Sequence, residues 1–344
     1  MSHKAIALFS GGLDSTLAVL AVRRWGIDVQ AVRFLTPFDP DISARAAFSE
    51  HAGVAAAKFG FDVTIHRLDE TFLDIVKNPP HGHGKNMNPC IDCRILMLGN
   101  ARAYMERVEA DFIVTGEVLG QRPMSQRKDM LYHIDKEAGV SGYVVRPLSA
   151  KFLAITVPEA EGMIDRGKFY GFSGRSRKPQ MTLAQEFGLR DYAAPAGGCL
   201  LTEPNYAHRL KDLLTHNASP AINDIELLRI GRHFRFSPLC KIIVGRDEDE
   251  NARLEALSVK GDCLLKVEGY GSPLTLIRGK VNDEVILTAA SICARYSDAK
   301  NISSLTVAVF YEGSKIGVMA SPAENEIIGA LRIEKTKKEE TATA

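Results

Sequence analysis

The stretch Lys4-Ala5-Ile6-Ala7-Leu8-Phe9-Ser10-Gly11-Gly12-Leu13-Asp14-Ser15 constrains the fold of this chain more than any other. Lys4 to Phe9 has the character of a buried strand, and Thr16 to Trp25 is apolar with helical character, so the two glycines fall on a strand-to-helix turn. Gly11 and Gly12 permit close backbone approach, and the amides of Gly12 to Ser15 would face an anion at the positive end of the helix. A pyrophosphate group suits such a turn. No Lys follows the second glycine, which excludes the Gly-x4-Gly-Lys-Ser/Thr phosphate loop, and the spacing is not Gly-x-Gly-x-x-Gly either. The plain alternative is a Gly-Gly turn in which Asp14 or Ser15 merely caps a helix.

The strand-and-helix rhythm continues along the chain, with strands expected over 4–9, 28–34, 61–67, 111–115 and 143–146 and helices over 13–25, 41–59, 70–77 and 91–108. That alternation predicts an α/β fold with a doubly wound parallel sheet. Asn78 to Asn86 interrupts it with Pro and Gly and reads as a mobile loop over the site. From about residue 238 the texture changes to short β-like runs at Lys241 to Val244, Cys263 to Val267 and Leu305 to Tyr311, with helix-like runs near Asp247 to Ser258 and Asp283 to Arg295. The expected organisation is a first domain over 1–205, a connecting segment over 206–237, a smaller α+β domain over 238–334 and a disordered tail over 335–344.

With 344 residues and 45% apolar side chains, the chain can build a core in each domain. The start Met1-Ser2-His3-Lys4 lacks the apolar core of a signal peptide, and no apolar run approaches the about 20 residues a bilayer span requires. A cytoplasmic protein without a membrane partner is expected. A net charge of +1 gives no sign of a polyanionic partner for the chain as a whole, so any nucleic-acid footprint must be local.

Six cysteines in a chain without a secretory signal argue for reduced thiols rather than a disulfide framework. Cys90 and Cys93 stand in Asn88-Pro89-Cys90-Ile91-Asp92-Cys93-Arg94, at the expected start of a helix, a position that lowers thiol pKa and favours metal binding or nucleophilic sulfur. Cys199, after Pro195-Ala196-Gly197-Gly198, is a natural third ligand. Three sulfurs leave one position of a tetrahedral site, or one iron of a [4Fe–4S] cluster, without a cysteine. Three arrangements are compatible with this: a cluster whose open iron carries sulfide, a persulfide relay between Cys90 or Cys93 and Cys199, and a structural zinc with His81 or His83 as fourth ligand. Cys240, Cys263 and Cys293 lie in apolar stretches and read as core residues.

A second polar loop, Gly116-Glu117-Val118-Leu119-Gly120-Gln121-Arg122-Pro123-Met124-Ser125-Gln126, follows the apolar run Asp111 to Thr115, where open α/β sheets place ligands. Arg146-Pro147-Leu148 follows another such run. Together with the first motif, these segments resemble the PP-loop family of N-type ATP pyrophosphatases, and within it the tRNA thiolation enzymes, closest to the 4-thiouridine synthetases. The resemblance covers approximately residues 4–205 in the family's order. It implies a Rossmann-like, adenine nucleotide α-hydrolase-like fold that cleaves ATP between the α and β phosphates and passes AMP to a carbonyl oxygen. It implies that Ser10, Gly11, Gly12, Asp14 and Ser15 form the pyrophosphate loop, that Asp14 is a catalytic Mg²⁺ partner, and that Thr115, Gly116 and Gln121 line the ATP site. Lys85, Arg94 and Arg146 are further charge or hydrogen-bond partners. The Cys-x-x-Cys pair and the later cysteine resemble those of iron–sulfur-dependent thiolases, which makes Cys90, Cys93 and Cys199 catalytic and metal-ligating candidates. The partners implied are tRNA and a sulfur donor protein or sulfide source. No counterpart of the THUMP domain of 4-thiouridine synthetases precedes residue 4, and the resemblance leaves the modified nucleotide open.

Arg166 to Lys178 carries five basic residues, three aromatics and no acid, and is the best local candidate for RNA contact. Arg166, Lys168, Arg175, Arg177 and Lys178 would neutralise phosphates while Phe169, Tyr170 or Phe172 stacks on a base; the plain alternative is a solvated basic loop whose aromatics pack on the core. Residues beyond 238 resemble the RNA-binding domains related to NFACT proteins, in position and texture. Two other functions use the same motifs: a PP-loop amidotransferase or ligase with a structural zinc, and a non-catalytic nucleotide- and RNA-binding protein.

Overall fold

A computed structural model of the chain describes residues 3–39, 50–192 and 199–334. The chain divides into two compact units, Met1–Leu200 and Leu201–Ala344. Part of the helix expected over 41–59, the Pro195 to Gly198 turn and the tail 335–344 lie outside the described residues.

The first unit runs β1 (Lys4–Leu8), α1 (Leu13–Arg23), β2 (Asp28–Leu35), α2 (Glu50–Phe59), β3 (Val63–Arg67), α3 (Asp69–Lys77), α4 (Cys90–Arg107), β4 (Phe112–Thr115), α5 (Lys128–Glu137), β5 (Val144–Val145), α6 (Val157–Ala160) and α7 (Lys178–Glu186). Its five strands are all parallel, in the order β3-β2-β1-β4-β5. Strands covered on both faces read as unbroken apolar runs, and Ala5, Ile6 and Ala7 of central β1 are fully buried, as are Phe112, Ile113 and Val114 of β4. After β3 the chain returns across the sheet to lay β4 beside β1. The order reverses there, which opens a crevice at the carboxyl ends of β1 and β4. α5 was not evident in the sequence.

The second unit begins with α8 (Pro204–His216) and α9 (Ile222–Leu227), then β6 (Arg232–Ser237), β7 (Cys240–Val244), α10 (Glu248–Leu257), β8 (Cys263–Val267), β9 (Thr275–Gly279), α11 (Asp283–Arg295), β10 (Leu305–Tyr311), β11 (Ser314–Ala320) and α12 (Asn325–Leu331). Its six strands form an antiparallel sheet in the order β11-β10-β8-β9-β7-β6. Residues 206–237, expected as a connector, instead form α8, α9 and β6 of this unit, with Leu210, Ile225 and Phe234 fully buried. Val285, Ala289 and Cys293 of α11 pack on Ile242, Leu265 and Val307 of the sheet, and Cys240, Cys263 and Cys293 are all free thiols inside this core.

β6 carries a buried titratable group into this core. His233 is fully buried, its Nε2 lies 2.7 Å from the Ile230 carbonyl, and its Nδ1 has no partner. Burial first, and the charges of Lys241 and Arg209 second, hold the imidazole well below its usual value of 6.5. The unfolded chain binds a proton at His233 that the native chain refuses, so its contribution to stability is complete above pH 6.5 and is lost as the pH falls below it. Urea unfolding followed by circular dichroism should therefore show stability declining from pH 7.5 to pH 5.5, with a shallower decline in His233→Leu. An identical pH dependence in that variant would contradict this reading.

Candidate active site

β1 delivers the chain into the crevice at Ser10. Gly11 takes a φ of 77°, a backbone region that side chains rarely adopt, and Gly12 stands extended at the N-cap of α1. No side chain caps this helix. The Ser15 hydroxyl turns back on the Gly12 carbonyl at 2.9 Å and lies 3.1 Å from the Ser10 hydroxyl, while Thr16 Oγ1 donates to the same carbonyl at 3.1 Å. These bonds fix the turn and leave the first-turn amides of α1 for an external acceptor at the positive end of the dipole.

The loop after β4 rests directly on this turn. A Cβ added to Gly116 would lie 2.5 Å from the Ser15 nitrogen and 2.6 Å from the Asp14 carbonyl, so only glycine allows the two backbones to meet. Farther along the same loop, Gln121 Nε2 donates to Asp14 Oδ2 at 2.9 Å. The other Asp14 oxygen and Gln121 Oε1 are buried without a hydrogen-bond partner. Burial raises the Asp14 carboxyl, against the Gln121 bond and the nearby charges of Arg177 and Arg122. Two hard oxygens without partners beside an anion cradle form a donor set that suits Mg²⁺.

Three charged side chains behind the loop hold it in place. Arg146, on the residue after β5, donates from Nη1 and Nη2 to Asp135 of α5 at 2.8 and 2.7 Å and from Nε to Glu117 at 2.9 Å. All three are buried. Burial alone would raise the Glu117 carboxyl, yet Arg146 and Arg94 hold it below the usual carboxylate range, aided by a 3.1 Å bond from Thr115 Oγ1. Burial outweighs Arg146 at Asp135 and raises that carboxyl. Thr115, expected to line the ATP site, and Arg146, expected as a charge or hydrogen-bond partner, both bond to Glu117 within this brace. Lys85 is exposed.

Arg94 links this brace to the cysteines, pairing with Glu117 at 3.6 Å one residue beyond Cys93. Cys90 and Cys93 lie in the first turn of α4, and Cys199 approaches the Phe38 carbonyl at 3.9 Å beyond the end of β2. All three thiols are half-buried. The Cys93 thiol is pushed up to about 12, first by burial and then by Cys199, Cys90 and Asp39, with Arg94 opposing. The sequence placed these thiols where a helix terminus lowers their pKa; for Cys93 the structure reverses that expectation, because burial and neighbouring sulfur outweigh the helix end. The structure brings the three cysteines within electrostatic reach of one another, and Asn88 Nδ2 donates to Cys90 Sγ at 3.1 Å. Three soft sulfurs suit iron or zinc. Among the described residues, no group of three or more His, Cys, Asp or Glu side chains is arranged to hold a metal ion.

The two histidines considered as a fourth zinc ligand are engaged elsewhere. His81 Nδ1 lies 2.7 Å from buried Asp92 and its Nε2 3.0 Å from His133 Nε2, while His83 Nε2 meets the Val76 carbonyl at 2.8 Å. With Gly84 N bonded to the Asn88 carbonyl at 2.8 Å, the loop expected to be mobile is pinned at several points.

The basic segment divides by role. Arg166 donates to the Ala150 and Leu153 carbonyls and to Glu159 at 3.1 Å, so it is a structural tie rather than a phosphate contact. Phe169 is 2% exposed in the core, and Tyr170 and Phe172 stack on each other with centroids 5.1 Å apart, which withdraws these aromatics from base stacking. Lys168 sits over the Trp25 ring at 4.4 Å, while Arg175 and Lys178 are exposed. Arg177 belongs with Asp14: Gly174 N bonds the Leu119 carbonyl at 2.7 Å, which draws this segment to the loop after β4. Gln180, fully buried with both ends of its amide unpartnered, was missed; a polar residue among apolar ones on an amphipathic helix was its only signal.

Comparison with known proteins gives the following. Residues 1–151 match the family described as thiamine biosynthesis protein (ThiI), and residues 231–330 match the NFACT protein RNA binding domain. A probable tRNA sulfurtransferase of Bacillus velezensis is 33% identical over 147 residues, covering 42% of this chain and 34% of the relative. The chain spans about a third of the length of most of the curated relatives it matches, and 53% and 65% of two others. A solved 4-thiouridine synthetase–RNA complex with bound ATP is 20% identical with a TM-score of 0.35, covering 54% of this chain and 52% of the other. The U34-tRNA thiolase NcsA of Methanococcus maripaludis, solved with its [4Fe–4S] cluster, is 16% identical with a TM-score of 0.32, covering 66% and 70%. No helix among the described residues is long and apolar enough to cross a membrane.

Arg146→Met keeps the apolar stem of the side chain, leaves Asp135 buried without its cation and leaves Glu117 with Arg94 alone. Loss of one partner from a buried ion cluster costs about 3–5 kcal/mol, and urea unfolding should show a loss of that size. A loss below about 1 kcal/mol, the range of exposed pairs, would show that the cluster does not brace the loop.

Proposed function

We propose that this protein transfers sulfur to tRNA in an ATP-dependent reaction, activating a uridine carbonyl with AMP and replacing its oxygen by sulfur. The observation that carries the reading is the contact at Gly116. The loop tied through Glu117 and Arg94 to the cysteine helix lies on the backbone of Asp14 and Ser15, so an anion cradle and a thiol cluster share one support. The similarity of residues 1–151 to the ThiI family and to a probable tRNA sulfurtransferase supports the same chemistry. The match of residues 231–330 to an RNA-binding domain supports an RNA substrate held by the second unit.

In this reading the amides of Leu13 to Ser15 and the Ser10 hydroxyl hold the β and γ phosphates of ATP, with the Ser15 hydroxyl fixing the turn through the Gly12 carbonyl. Asp14 Oδ1 and Gln121 Oε1 would hold Mg²⁺, which neutralises phosphate charge when bound. Arg177 and Arg122 supply the remaining positive charge. The uridine carbonyl oxygen attacks the α phosphorus, its bond to phosphorus forms, and pyrophosphate leaves with the electrons of the broken P–O bond. Hydrosulfide then attacks the activated carbon, the C–S bond forms, and the C–O bond breaks to release AMP and a proton. Positioning and charge stabilisation account for most of the acceleration, because this transfer asks little acid or base of the protein. Cys90, Cys93 and Cys199, half-buried beside the Arg94 cation, are the soft donors that a [4Fe–4S] cluster would take if their side chains drew together from the arrangement described above.

Full-length protein purified anaerobically, given Mg·ATP, sulfide and unmodified tRNA, should release pyrophosphate and AMP and yield a thiolated nucleoside detectable by mass spectrometry. Asp14→Asn should lower both products at least 100-fold. Cys93→Ser should abolish the thiolated nucleoside while pyrophosphate release persists. Cleavage of ATP to ADP and phosphate would contradict the reading.

A further inference from the structure

The second unit contains a cavity of about 280 Å³ bordered by β6, β7, β9 and the C-terminal end of α8. Three cations stand on its wall, Arg235, Lys241 and Arg278, against one carboxylate, Asp224. The arginines are taken. Arg235 holds Asp212 at 3.2 and 2.5 Å, and Arg278 holds Asp262 at 3.0 and 2.5 Å and Asp224 at 2.9 Å.

Lys241 is different. It is 7% exposed on a strand whose five residues are all buried, between Cys240 and Ile242, and its side chain makes no hydrogen bond or ion pair among the described residues. An ammonium sunk in an apolar strand without a directly bonded carboxylate destabilises the fold, so an apolar residue would serve the sheet better. Burial, first, lowers it to about 7, with Arg235 and Arg209 acting the same way and Asp212 and Asp224 opposing. The rest of the wall suits a body that is partly apolar. Leu213 and Ile243 are buried and Leu239 is 68% exposed. Asn217 and His216, both exposed, add polar groups: Asn217 spends its carbonyl on Ser219 N at 3.0 Å and keeps its amide hydrogens, and His216 spends Nδ1 on the Asp212 carbonyl at 2.8 Å. The volume falls just under the about 300–1,000 Å³ of small-molecule pockets, room for one small ligand.

We propose that this cavity binds a phosphate-bearing ligand the size of a single nucleotide, with its phosphate against Lys241 and its body against Leu213 and Leu239. The nucleotide is either extruded from single-stranded RNA or free in solution; both present the same phosphate and base. The site lies wholly in the second unit and does not depend on the ATP-dependent activity proposed above.

The test reads Lys241 itself, so nucleotide held at Ser10 to Ser15 does not register. Full-length protein is carbamoylated with cyanate at pH 7 and modification of Lys241 is followed by mass spectrometry, with inorganic phosphate, UMP or a uridine octanucleotide present. UMP should slow the modification at least tenfold and phosphate should do so at higher concentration. Protection by the octanucleotide below the concentration needed for UMP would identify RNA as the source, and protection by UMP alone a free nucleotide. Leu239→Asp, at an exposed position, should remove the protection without unfolding the chain. Lys241→Met should raise the thermal midpoint of the unliganded protein. Modification unaffected by all three probes, or a lowered midpoint in Lys241→Met, would overturn the proposal.

Discussion

A guanidinium buried between two carboxylates holds the working end of the first unit in place. Arg146 grips Asp135 on α5 and Glu117 in the loop after β4, and Glu117 reaches Arg94 beside Cys93. The loop would otherwise present a buried acid to an apolar interior, an unfavourable state that pairing converts into a fixed position. The loop's position in turn decides where Gly116 meets the first turn of α1 and where Gln121 meets Asp14. The nucleotide turn and the cysteine helix therefore share one electrostatic support.

The support sits where the parallel sheet reverses its strand order, and the sheet itself follows from apolar runs too short and too β-branched for helices. Those runs were readable from the sequence, and so was the turn at Gly11, because two glycines between a strand and a helix admit few other geometries. Strand β11 was not readable, because most of Ser314–Ala320 is exposed and shows no alternation of buried and open positions. α9 was not readable because its buried Leu227 joins Ile243, Leu254 and Leu276, which only folding brings to it. Arg146 shows the same limit within the site: its position after a strand was visible, but its role depends on Asp135 and Glu117, which only folding brings to it.

Basic residues were the hardest to assign. Arg166, Arg175 and Arg177 look equivalent in composition, yet the first holds backbone carbonyls, the second is exposed and the third stands beside Asp14. The same holds for the thiols. Position at a helix start suggested an acidic Cys93, whereas burial beside two further sulfurs makes its thiolate costly unless a metal ion supplies the counter-charge.

Adenylation of the base carries its displaced oxygen to the α phosphorus. With tRNA transcribed from uridine triphosphate carrying ¹⁸O at both carbonyl positions of the base, mass spectrometry of the AMP released with Mg·ATP and sulfide tests this directly. Transfer of the carbonyl oxygen to the α phosphorus predicts one ¹⁸O in AMP for each thiolated nucleoside formed. AMP without label, accompanied by thiolated product, would contradict adenylation of the base and with it the assignment of the Ser10 to Ser15 turn.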